Sequence, residues 1–214
     1  ETRPPGIYHS LHERDREALL AGVSEANSTA DWVILALHAH QARAGNRNTS
    51  ETPRFLQQFA RDCVETGADA VVVTGPHTLR GIEVYRNRPI FYSLGNFFFQ
   101  EEIIYRMPES VDQTVESTVP DVRGDDAASE TDSTVTHDAD NWRSIVPVCE
   151  FEGGGTLTGI TLYPCTLQPR ASLSRRGRPV LARDDTAQSI LQTVAERSAP
   201  YGTTIDTEEN IGTL

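Results

Sequence analysis

Gly75-Pro76-His77-Thr78-Leu79-Arg80-Gly81-Ile82-Glu83-Val84-Tyr85, running on to Pro89-Ile90-Phe91-Tyr92-Ser93-Leu94-Gly95-Asn96-Phe97, decides how this chain reads. The β-branched run Val71-Val72-Val73 precedes it and stops at Gly75-Pro76. Ile82 to Tyr85 and Ile90 to Tyr92 have strand character and predict a pair joined by a turn at Asn87-Arg88. His77 falls just past the end of a buried strand, where open α/β sheets gather ligands and metals.

Upstream, Thr52-Pro53 predicts a helix start, with Thr52 as N-cap and Pro53 in the first turn. Phe55, Leu56, Phe59, Cys63 and Val64 form its apolar stripe and Gly67 its C-terminal cap. Trp32 to Leu37 is near-continuously apolar and predicts a strand buried on both faces. His12 to Ala26 has helical spacing. Helix, strand, helix, strand and then a strand pair is the order of an α/β fold with a mixed sheet. Downstream, Ile145–Phe151 and Thr156–Tyr163 predict a hairpin across Gly153-Gly154-Gly155. Asp184 or Asp185 caps a last helix to about Arg197, with Ile190, Leu191 and Val194 inward; the tail beyond shows little pattern.

Charge divides the chain. Residues 109–140 hold ten acids and one base, which accounts for −9 of the net −12. A segment so poor in large apolar residues cannot offset its ordering entropy and reads as a disordered insertion. Residues 1–108 and 141–214 then form one domain around it. The 19 basic residues are all arginine. Such a composition fits a salt-adapted proteome or a GC-rich genome. Without a basic stripe the acidic balance argues against a nucleic-acid partner. Three cysteines with no CxxC spacing indicate neither a disulfide framework nor a zinc ribbon, and read as small buried hydrophobes. No run approaches the ~18 apolar residues of a membrane helix. The chain starts at Glu1 without methionine and reads as a processed or excerpted segment.

Several strings resemble the CapA family of capsule and poly-γ-glutamate synthesis proteins, which is similar to the calcineurin-like metallophosphatases. Ile90-Phe91-Tyr92-Ser93-Leu94-Gly95-Asn96-Phe97 is the most specific of them. Asp31 to His38 resembles the family's strand that ends in a metal-site histidine, and Glu65-Thr66-Gly67-Ala68-Asp69 its helix end. Val146 to Phe151 and Leu162-Tyr163-Pro164 resemble its closing hairpin. The resemblance implies a metallophosphatase-like layered α/β sandwich with mixed sheets, of which this chain carries mostly the C-terminal half. It also implies a divalent metal (Mn, Fe or Zn), capsule-synthesis or cell-envelope proteins as partners, and a partner chain or second copy over unpaired strands.

On the same basis His38 and His77 are expected as metal ligands, with His40 as a substitute ligand. Arg80 and Asn96 are expected at the catalytic centre, and Ser93 and Glu83 as substrate contacts, Glu83 orienting Arg80. Val73-Thr74 stands where the family carries Gly-His, so Thr74 replaces an imidazole. A second reading therefore stays open: a scaffold or binding protein that keeps the fold without the metal.

Overall fold

A computed structural model describes residues 9–41, 49–100, 139–153 and 156–214. The elements run α1 (Glu13–Thr29), β1 (Ile34–His38), α2 (Arg54–Thr66), β2 (Ala70–Thr74), β3 (Ile82–Tyr85) and β4 (Arg88–Phe91). After a 3-10 turn at Ala139–Trp142 come β5 (Arg143–Glu152), β6 (Thr156–Thr166), β7 (Val180–Leu181), α3 (Asp184–Ser198), β8 (Asp206–Glu208) and β9 (Ile211–Thr213). The result is mixed α/β. The first sheet has the order β1-β2-β4-β3, parallel except for the antiparallel β3–β4 hairpin. The second is antiparallel, β5-β6-β9-β8 with β7 on β6. The segment 109–138 of the expected acidic insertion lies outside the described residues.

The apolar run in β2 is continuous because both of its faces are covered. Strand side chains alternate between faces. Val71 and Val73 therefore pack with Leu56, Phe59, Ala60 and Cys63 of α2 and Val23 of α1. Val72 points the other way, against a core of Phe91, Ile145, Ile160, Leu162 and the α3 residues Ala187, Ile190, Leu191 and Val194. In β4 Ile90 joins the first core and Phe91 the second. The first sheet is thus sandwiched between two helices and a second sheet backed by α3.

β1 departs from the expectation of a strand buried on both faces. Leu35 and Leu37 pack on the helix side, but Ile34 is 69% exposed and Ala36 and His38 are also exposed. Among the described residues β1 is the edge of its sheet, and the second sheet meets it through the Trp32–Phe151 ring pair, 5.0 Å between centroids. An uninterrupted apolar run cannot by itself distinguish a central strand from an edge strand with one bare face.

Smaller differences have local causes. The β3–β4 turn is Arg86-Asn87, one residue earlier than expected, with φ of 47° and 62°. Two positive φ values give the turn a twist that matches the flanking strands. α2 begins at Arg54 with Pro53 as its cap, and the Thr52 side chain makes no cap bond. α3 begins at Asp184, whose N–H donates to Asn210 Oδ1 rather than being served by an aspartate cap. The tail forms β8 and β9, three residues each, too short for a readable alternation. Of the run Phe97-Phe98-Phe99, the first two are exposed and Phe99 is buried, against Trp142 and Leu167. Cys63 and Cys165 are buried, Cys149 is half-buried, and all three are free thiols. No helix among the described residues is long and apolar enough to cross a membrane.

Candidate functional site

The parallel register sets His38 of β1 opposite Thr74 of β2, so both strands end at the same level. Gly75 follows with φ 125°, a conformation suited to glycine, and a Cβ there would lie 2.9 Å from the Ala39 carbonyl. This close approach joins the two strand-end loops, and the Ala39 N–H donates to Thr74 O at 2.8 Å. Three imidazoles gather there. The His38 and His40 rings lie 4.9 Å apart and those of His40 and His77 5.9 Å. Sequence spacing alone does not show that β1 and β2 are neighbours, and it is that pairing which brings His38 and His77 to one end of the sheet.

The hydrogen bonds around two rings define their outward nitrogens. Asn96 Nδ2 donates to the Asn141 carbonyl at 3.0 Å, which leaves Oδ1 facing His77 Nδ1 at 2.8 Å. An amide oxygen only accepts, so His77 carries its proton on Nδ1. Thr74 Oγ1 donates to the Leu37 carbonyl at 3.3 Å and so accepts from His38 Nδ1 at 3.3 Å. Among the described residues His38 Nε2 is then open. Thr74 thus orients a neighbouring histidine. An oxygen acceptor behind a ring N–H is the usual support of a ligating histidine.

The remaining expected residues are placed as follows. Asn96 sits behind His77 as an orienting group. Ser93 is buried; its hydroxyl donates to Pro76 O and accepts from the Gly95 N–H, both at 3.3 Å, so it ties the loop together. Glu83 is buried with both oxygens engaged, Oε1 by Arg61 at 2.8–2.9 Å and Oε2 by the Tyr92 hydroxyl at 2.6 Å. It therefore supports Arg61 and Tyr92 rather than Arg80. Burial and the Glu83 bond push the Tyr92 phenol pKa up.

Arg80 is fully buried. Its Nε donates to the Thr49 carbonyl at 3.0 Å, while among the described residues neither Nη1 nor Nη2 has a hydrogen-bond partner. Burial lowers its pKa to about 10, with the nearby Tyr201 opposing. His9 and His12 are exposed, in keeping with surface residues; His137 lies outside the described residues.

Three supporting residues escaped the sequence reading. Asp140 accepts from Arg197 Nη2 at 2.7 Å and from the Thr78 hydroxyl at 2.9 Å. Arg197 Nη1 also donates to Leu79 O at 2.6 Å. These bonds pin the 3-10 turn and the end of α3 to the His77 loop, and so fix the Asn141 carbonyl that holds Asn96. Asp140 looked like the last acid of a solvated run; the Asn141-Trp142 step into buried structure is the one signal that separates it.

A divalent metal can be tested against this donor set. The described residues offer two oriented imidazole nitrogens but no group of three or more His, Cys, Asp or Glu placed to hold an ion. A catalytic metal needs about three protein ligands. The described residues therefore do not complete such a site.

Comparison with known proteins adds a family to this geometry. Residues 3–101 match the family described as bacterial capsule synthesis protein PGA_cap. The uncharacterized proteins y4sH and y4uA of Sinorhizobium fredii are each 35% identical over 228 residues, covering 98% of this chain and 46% of their own length. The PGA biosynthesis protein CapA of Bacillus subtilis is 39% identical over 97 residues, 45% of this chain and 23% of that protein. The chain thus spans about half the length, or less, of the curated relatives it matches.

Proposed function

Because the chain belongs to the CapA family through residues 3–101, we propose that it contributes part of a metallophosphatase-like hydrolytic site acting on a phosphate ester or a related bond in capsule or poly-γ-glutamate synthesis. The observation that carries this reading is the pair His38 and His77. Both follow the ends of adjacent parallel strands, each with Nδ1 held by an oxygen. His40 lies between them. A divalent ion would supply Lewis acidity and an activated water at such a place, with its remaining ligands coming from outside the described residues. Arg80, a buried cation with two nitrogens unpartnered among the described residues, is the group suited to the anionic part of a substrate.

The second reading, a binding or scaffold protein without metal, is favoured by Thr74 in the place of an imidazole and by the incomplete ligand set. Metal content after equilibration with Mn²⁺, Fe²⁺ or Zn²⁺, measured together with hydrolysis of an aryl phosphate, separates the two. The hydrolytic reading expects stoichiometric metal that is lost in His77→Ala. It expects Asn96→Ala to weaken binding by about 10- to 100-fold through loss of ring orientation. A stably folded protein with neither metal nor hydrolysis establishes the scaffold reading instead.

A further inference from the structure

A cavity of about 290 Å³ opens between the start of α1, the end of β1 and the start of α2. Its body is apolar: Leu11, Leu37, Phe55 and Phe59 form the wall. Two imidazoles, His9 and His38, border it. The His9 ring stands 6.2 Å from that of Phe55. His38 lines this cavity and also belongs to the histidine cluster, so the two adjoin at that residue. Ligand sites of this kind pair an apolar body with a few polar groups that fix orientation.

The geometry points to a subsite for an apolar substituent of the substrate, a short alkyl chain or an aryl ring, whose anionic end lies at His38; the assignment rests on the phosphate-ester reading above. The volume is at the lower end of small-molecule clefts, roughly 300–1,000 Å³. It suits one chain or ring and not a folded polymer. Leu37 packs on the helix side of β1 and walls the cavity, while His38, exposed at the end of the strand, borders it. The strand end therefore offers an apolar wall and a polar rim in consecutive residues.

The test is a binding series on the 214-residue chain, with inorganic phosphate, ethyl phosphate, hexyl phosphate and 1-hexanol as probes. Calorimetry gives the affinities, and ring resonances of His9, His38 and His77 report the place. Each methylene buried is worth about fourfold, so hexyl phosphate is expected to bind at least about tenfold tighter than ethyl phosphate while moving the His9 and His38 resonances. Leu19 lines the cavity from α1 and is 47% exposed, so Leu19→Trp fills the space from the surface. In that variant the hexyl advantage disappears and the response to inorganic phosphate is unchanged. Equal affinities for the ethyl and hexyl esters, or an advantage that survives Leu19→Trp, overturn the subsite. Hexanol binding that moves His9 and is lost in Leu19→Trp, with no response to phosphate at His77, upholds the subsite and removes the phosphate-ester reading.

Discussion

Replacing Arg80 with methionine gives a test that a buried arginine seldom offers. The guanidinium is fully buried, and two of its three nitrogens lack partners among the described residues. Burial lowers its pKa from 12.5 to about 10. At about 1.4 kcal/mol per pK unit, holding the charge there costs roughly 3 kcal/mol. Methionine keeps much of the apolar stem and removes that cost. It also removes the charge-assisted bond from Nε to Thr49 O, worth roughly 1.5–3 kcal/mol. The net expectation for Arg80→Met is neutral to about 1.5 kcal/mol more stable, against the roughly 3–5 kcal/mol lost when a well-partnered buried ion is broken. Urea unfolding with linear extrapolation measures the difference, and Tm should rise by between zero and about 6 °C for a chain of this size.

The sign with pH is also fixed. A base whose folded pKa is lowered destabilises the fold while it is charged, and the penalty fades only as pH rises through about 10. The difference between variant and parent should therefore be flat from about pH 6 to 9. A loss of more than about 3 kcal/mol would refute the reasoning, because it would mean that Nη1 and Nη2 are partnered in the native protein. If the variant is stable but inorganic phosphate binds more weakly, the cost of Arg80 is tied to the anion role proposed for it.

Two further perturbations probe the frame of the site. Asp140 is partly buried, which alone would raise its pKa, but hydrogen bonds from Arg197 and Thr78 and the charges of Arg197 and Arg143 outweigh this and lower it below 3.8. Its contribution is then complete above the unfolded value and is lost as pH falls below it; Asp140→Asn should flatten acid unfolding in that range and cost roughly 1–3 kcal/mol at neutral pH, read by urea unfolding at several pH values. Gly81 packs against the Arg197 carbonyl and the Tyr201 ring with no room for a Cβ, so Gly81→Ala should lose roughly 1–3 kcal/mol or more by overpacking, visible as a lower urea midpoint, while an unchanged midpoint would show that α3 yields freely.

The local elements were determined by the sequence itself. Val71-Val72-Val73 and the stripe Leu56, Phe59, Cys63 and Val64 carry their period in the residue order, and Gly67 ends its helix through a backbone conformation that glycine adopts easily. The Tyr92-Ser93-Leu94-Gly95-Asn96-Phe97 string marked the family for the same reason: it is contiguous. Contacts between distant segments were another matter. Whether β1 is central or at an edge depends on which strands flank it, and Ile34 reads alike in either case. Thr74 looked like a lost ligand until the β1–β2 register set it beside His38. Asn96 acquired its role from a carbonyl 45 residues away, and Glu83 from Arg61, 22 residues away. Periodicity encodes which face of an element is apolar, because that is a property of neighbouring residues. Orientation of a particular ring or carboxylate depends on a few angstroms between chain segments, and only the packed tertiary structure sets those distances.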